Sequence, residues 1–161
     1  MKGFRREGDG SVVALIDPAE VAVVSDLADQ LRILLTNDSD TDPALLRLLP
    51  DAYPEDQDAS AEFRRYTHDS LVGRKLAGAT TVIETLAAAE ENSADDTDHL
   101  MLRLTHDQAV AWLTTLTDIR LTLAIRMGIV EDDQRSDDVI LQDLYDWLGF
   151  VQNALVETLA D

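Results

Sequence analysis

A chain of 161 residues, 45% of them apolar, is long enough to bury a core and too apolar for an acidic disordered tail. Its 32 acidic and 13 basic residues leave a formal charge of −19, a field that repels phosphate backbones and argues against direct binding to duplex DNA. The absence of cysteine excludes disulfides, thiolate metal sites, thiol nucleophiles and thiol redox sensing.

The first residues, MKGFRREGDG, are charged, and the run VVALI after them is too short for a signal peptide. No stretch approaches the ~20 apolar residues of a membrane span. One cytoplasmic domain over residues 1–161 is expected. GFRREGDGSVVALI reads as a hairpin whose strands flank Glu7-Gly8-Asp9-Gly10, the Asp-Gly pair suiting a turn that needs positive φ. Asp17, Pro18 and Glu20 then open a helix as cap, first residue and capping-box acid. Its apolar face is Val21, Val24, Leu27, Ala28, Leu31 and Leu35. Asp42-Pro43 starts a short helix through Leu49, and Pro50 and Pro54 bound an irregular link.

A long helix is expected from about Gln57 to Ala89, with Phe63, Leu71, Leu76, Val82, Ile83 and Leu86 apolar. Gly73, Ala77 and Gly78 weaken it locally but let another backbone come close. AEENSADDTD reads as an acidic loop and HLMLRL as a third strand. Thr105 and Gln108 form a capping box for a helix that Gly128 stops. VEDDQRSDD is the next link. The last helix is expected from about Ser136 to Ala160, with its seam at Leu141, Leu144, Leu148, Val151, Leu155 and Leu159. The elements predict a mainly α (α+β) fold: a bundle of about four main helices and a small antiparallel sheet from the hairpin and the strand around Met101.

Candidate sites are few. Asp38, Asp40 and Asp42 imitate the start of a calcium loop, but Pro43 stands where glycine makes the turn and Leu49 where the bidentate glutamate belongs. His68, His99 and His106 show no i, i+4 metal spacing. No nucleophile elbow, phosphate loop or dinucleotide fingerprint occurs. The expectation is a protein without catalytic residues, metal or cofactor. The one basic island is EFRRYTHDSLVGRK. There Arg64, His68 and Lys75 fall on one helical face with Arg65 and Arg74 beside it, either a docking patch or a solvated face.

LTDIRLTLAIRMG is apolar nearly all round, which marks a central helix. Trp112 leads its stripe. Arg120 beside that stripe is expected to be buried and paired with a carboxylate of another helix, with Glu62, Glu84, Asp143 and Asp146 as candidates. Arg126, near Gly128, reaches the helix end and solvent.

Taken together, LLPDAYPEDQDASAEFRRYTHDSLVGRK, AWLTTLTDIRLTLAIRMGIVEDD and YDWLGFVQNALVETL resemble the actinobacterial AosR-like family, long catalogued as a domain of unknown function. The shared motifs are Pro50-Asp51-Ala52-Tyr53, Phe63-Arg64-Arg65, Trp112-Leu113 with Asp118-Ile119-Arg120-Leu121, and Tyr145-Asp146-Trp147-Leu148. The resemblance spans nearly the whole chain. It implies a cytoplasmic regulator that acts through protein partners in transcription, a stress sigma factor or RNA polymerase among them. Genes of the family often neighbour the adaptor ClpS, so a Clp-linked accessory protein is the alternative, with a non-catalytic homo-oligomer (a homodimer at its simplest) as the third. Cysteine-based sensing does not carry over to a chain without cysteine. Trp112, Arg120, Arg126, Tyr145 and Trp147 are read as ion-pair or core positions, and Arg64, Arg65, His68, Arg74 and Lys75 as the partner-binding set.

Overall fold

A computed structural model describes residues 1–37, 42–50, 61–93, 98–129 and 134–161. Among these the order is β1 (Lys2–Arg6), β2 (Val12–Ile16), α1 (Pro18–Leu35), α2 (Pro43–Leu48), α3 (Ala61–Glu91), β3 (Leu100–Leu104), α4 (His106–Arg126) and α5 (Val139–Ala160). This is the expected helical bundle with a small antiparallel sheet. The calcium-loop positions Asp38 and Asp40, the link at 51–60 and the helix start at 57–60 lie outside the described residues.

The sheet runs β1-β2-β3, both pairs antiparallel. Gly10 takes a φ of 86° in the hairpin turn, and Gly3 takes 73° where the β1–β2 register slips between Lys2 and Arg5. Positive φ at a slipped register suits glycine, which has no Cβ to clash. Alternation then sorts the faces. Val12, Ala14 and Ile16 pair with Leu104, Leu102 and Leu100, and all six join the core. On the other face Val13 lies between Arg5 and Arg103 yet is only 2% exposed. The heads of the two flanking arginines reach Glu7 and Asp9.

Local signals place the helix starts. Glu20 Oε2 accepts the Asp17 N–H at 2.9 Å, closing the entry to α1. Thr105 and Gln108 bond each other's backbone at α4. Asp42 caps α2 through the Ala44 N–H. The last helix begins three residues later than expected. Ser136 accepts the Asp138 N–H, Asp138 accepts that of Leu141, and the Ser136 N–H reaches the Gln142 side chain at 2.7 Å. These side-chain bonds hold residues 136–138 as a cap, so the first helical turn starts at Val139.

The helix α4 packs against α3, α5 and α2, with a smaller contact on α1, and is the central helix that its all-round apolar character predicts. Trp112 is fully buried, and its indole N–H donates to Thr85 Oγ at 2.9 Å. Thr85 passes its own proton back to the α3 carbonyls of Thr81 and Val82. At the α3–α4 crossing Gly78 is buried, and a Cβ there would lie 2.9 Å from Thr115 Oγ1. That is the close approach its small side chain predicts. Gly73 meets nothing within 4 Å.

Candidate partner-binding surface

The basic island does not form one solvated patch. Lys75 shares its face of α3 with Ala79, Val82 and Leu86, which are buried. Arg64 and His68 share that face nearer the N-terminus, where it emerges from the bundle: Arg64 is half-buried and His68 exposed. Lys75 Nζ donates to Asp118 Oδ1 of α4 at 2.8 Å, with the two side chains 13% and 7% exposed. Lys75 is therefore corrected from a docking residue to an ion-pair partner. His68 and Asp69 border a cleft of about 350 Å³ with Leu35, Leu45, Leu49 and Val72. Arg65 and Arg74 alone of the set are exposed cations with no ion pair among the described residues. Near them Tyr66 is 75% exposed and Phe63 is about half exposed.

Asp118 is the charged residue that the sequence left without a role. Burial pushes its carboxyl above the ordinary value, more than the Lys75 ammonium pulls it down. Its Oδ2 accepts no hydrogen bond among the described residues. The partner lies 43 residues away in sequence, beyond any local signal.

Arg120 is half-buried and does face another helix, but its hydrogen-bond partners are not carboxylates, and Asp146 feels its charge only at longer range. It donates to the Tyr145 carbonyl at 3.4 Å and to Gln152 Oε1 at 3.2 Å, and its guanidinium lies 4.2 Å from the Tyr145 ring centroid. Gly149 leaves the room, since a Cβ there would come within 2.9 Å of the guanidinium. A planar cation stacked on an aromatic face keeps part of its surroundings favourable without a paired anion. Arg126 reaches Asp42 with both nitrogens, at 2.9 and 2.8 Å, tying the end of α4 to the cap of α2. That bond holds the Asp42 carboxyl below its ordinary value. The same bond commits Asp42 to structure rather than to a cation. Trp147 is half-buried against the core edge, and Tyr145 is half-buried under the Arg120 guanidinium.

His99 approaches Asp17 at 3.2 Å, and His106 opens α4. A second cleft, about 150 Å³, runs between α1 and α4 past Leu27, Leu31, Leu34, Leu123 and Arg126.

The surface that the sequence reading missed is on α5. Val139, Ile140 and Phe150 are 68%, 81% and 61% exposed. Its signal was a second stripe, one residue behind the buried seam: Ile140, Asp143, Trp147, Phe150 and Ala154.

No helix of the described residues is long and apolar enough to cross a membrane. Residues 1–159 match a family model described as a domain of unknown function, DUF2017. A protein of Mycobacterium leprae (strain TN) named "Putative oxidative stress regulator AosR" is 29% identical over 139 residues, covering 73% of this chain. The match spans 58% of that relative's own length. No solved structure matches.

Proposed function

The chain belongs to the DUF2017 family, and from that premise we propose that it is a non-catalytic regulatory protein acting through protein contacts in transcription. The partner in this reading is a stress sigma factor or RNA polymerase. The name of the mycobacterial relative supports a regulatory role in oxidative stress. This chain holds no cysteine, so the reading includes no thiol sensor. The observation that carries a contact role is the exposure of large side chains on the first half of α3, where Tyr66 stands 75% exposed between Arg65 and Arg74. Aromatic and arginine side chains supply much of the energy of protein interfaces.

The reading is tested by placing a photo-crosslinking amino acid at position 66 and irradiating cells under peroxide stress. Sigma factor or RNA polymerase subunits are the expected adducts. Clp components in their place, or no adduct, overturn it. The charge of −19 adds a second expectation, no nanomolar sequence-specific binding to duplex DNA by fluorescence anisotropy.

A further inference from the structure

We infer that the outer face of α5 is the seat of a partner helix whose rim is basic. The inference goes beyond the reading above, adding a contact surface that does not depend on which partner meets α3. The helix carries two interleaved stripes at alternating spacings of three and four. Leu148, Val151 and Leu155, with Leu141 and Leu144 half-buried, turn one stripe into the bundle. The other stripe, Ile140, Asp143, Trp147, Phe150 and Ala154, has the spacing of a helix–helix seam; among the described residues Ile140, Asp143 and Phe150 are left exposed, and Trp147 and Ala154 half-buried. It runs roughly 20 Å at 1.5 Å per residue, enough for about four turns of a facing helix. Trp147 joins the two, with one side against the core edge. A seam of this kind takes an amphipathic helix laid along it.

Charge selects the occupant. No Lys or Arg occurs between Val139 and Ala160. Asp143 stands in the seam itself, and Asp137, Asp138, Asp146 and Glu157 surround it. Among the described residues Arg135 pairs with Asp146, at 3.0 Å. A second copy would set these carboxylates against each other, inside a field of −19 per chain. A helix with lysine or arginine beside its apolar stripe meets the same carboxylates as partners.

The test is fluorescence anisotropy with the full chain and two synthetic helices of about three heptads, leucine at the a and d positions of both. One has lysine at e and g, the other glutamate. The lysine helix is expected to bind and the glutamate helix not. Phe150→Ser and Ile140→Ser should each weaken binding about tenfold or more, as loss of a central apolar anchor does. Asp143→Lys should weaken the lysine helix and confer binding of the glutamate helix. All three positions are exposed, so circular-dichroism melts should match the parent. The assignment is overturned if the lysine helix does not bind, if both helices bind alike, or if the variants bind as the parent does. Light scattering that shows a dimer abolished by Phe150→Ser overturns it too, giving the seam to a second copy. Failure here with transcription adducts at position 66 removes the α5 seat and leaves the proposed function. Helix binding without those adducts does the reverse.

Discussion

Lys75 and Asp118 show how one ion pair can be needed by a fold without being its best solution. Removing one partner of a buried pair leaves an uncompensated charge, whereas replacing both with apolar groups is often nearly neutral. Lys75→Met should therefore cost about 3 kcal/mol in urea denaturation, the low end of the usual range, because the stranded carboxyl can take up a proton. The double variant Lys75→Met/Asp118→Leu should recover most of that loss. A double variant as unstable as the single one would show that the pair contributes net stability. The pH dependence has a definite sign. The folded state raises the Asp118 carboxyl above its ordinary value, so it binds the proton more tightly than the unfolded chain does. Its contribution to stability grows as pH falls through that raised value, and Lys75→Met should gain more from acidification than the parent. Arg120 differs because its partners are a carbonyl, an amide and a ring. Arg120→Ala should cost only about 1–2 kcal/mol, the sum of a modest cation–π contact and two long hydrogen bonds. Arg120→Lys should not restore it, since an ammonium lacks the planar fork. A loss matching that of Lys75→Met would point to an anionic partner after all.

Among the elements, α3 separates intrinsic helix preference from packing. Gly73 and Gly78 sit five residues apart on one helix, yet only the second is pressed by a neighbour. Gly73→Ala should stabilise by about 0.5–1 kcal/mol, the ordinary cost of a glycine in a helix interior. Gly78→Ala should destabilise despite the same local gain, because Thr115 is 1% exposed and its hydroxyl cannot swing clear without parting α3 from α4. Equal Tm shifts for the two would mean that the helices part freely. The sequence made the caps legible, since Asp17, Asp42 and Thr105 act within three residues of themselves. The core stripes of α1 and α5 were legible for the same reason, because helical period converts directly into faces. Period does not say which of two faces meets the bundle. Lys75 was grouped with Arg64 and His68 on one face and read as turned outward, whereas it pairs with Asp118 inside the bundle, because the apolar signal of α3 lies in its second half. On α5 the first stripe of leucines satisfied the expectation of a core seam, and the second stripe beside it went unread. The partners of Asp118 and Arg120 come from other helices, and only the assembled bundle supplies them.

At the scale of the whole molecule, a charge of −19 on 161 residues sets two opposing responses to acid. Protonating carboxylates relieves self-repulsion and favours the compact state. Against this, several carboxylates are held below their ordinary range by bonds that exist only in the fold. The Asp9 carboxyl is lowered to about 2, first by the Ser11 hydroxyl, then by the Ser11 N–H and Arg103. Asp42 is lowered by Arg126, and Asp146 by Gln142 and then Arg135. A group lowered in this way adds stability above its unfolded value, near 3.8 for Asp9, and loses it as pH falls toward about 2. The two responses act in different windows. Between about pH 7 and 5 the relief of repulsion dominates, and the Tm should rise or hold. Below about pH 4 the folded carboxylates must surrender their bonds, and the Tm should fall steeply. Asp9→Asn should lower the Tm at neutral pH and so flatten part of that acid limb, while leaving the Tm at the acid end little changed. Salt separates the mechanisms, because it screens distant exposed charges far more than hydrogen-bonded contacts. Raising NaCl at neutral pH should therefore raise the Tm and remove most of the gain otherwise seen on mild acidification. A Tm that falls steadily from neutral pH, with no response to salt, would show that the paired carboxylates outweigh the net charge throughout.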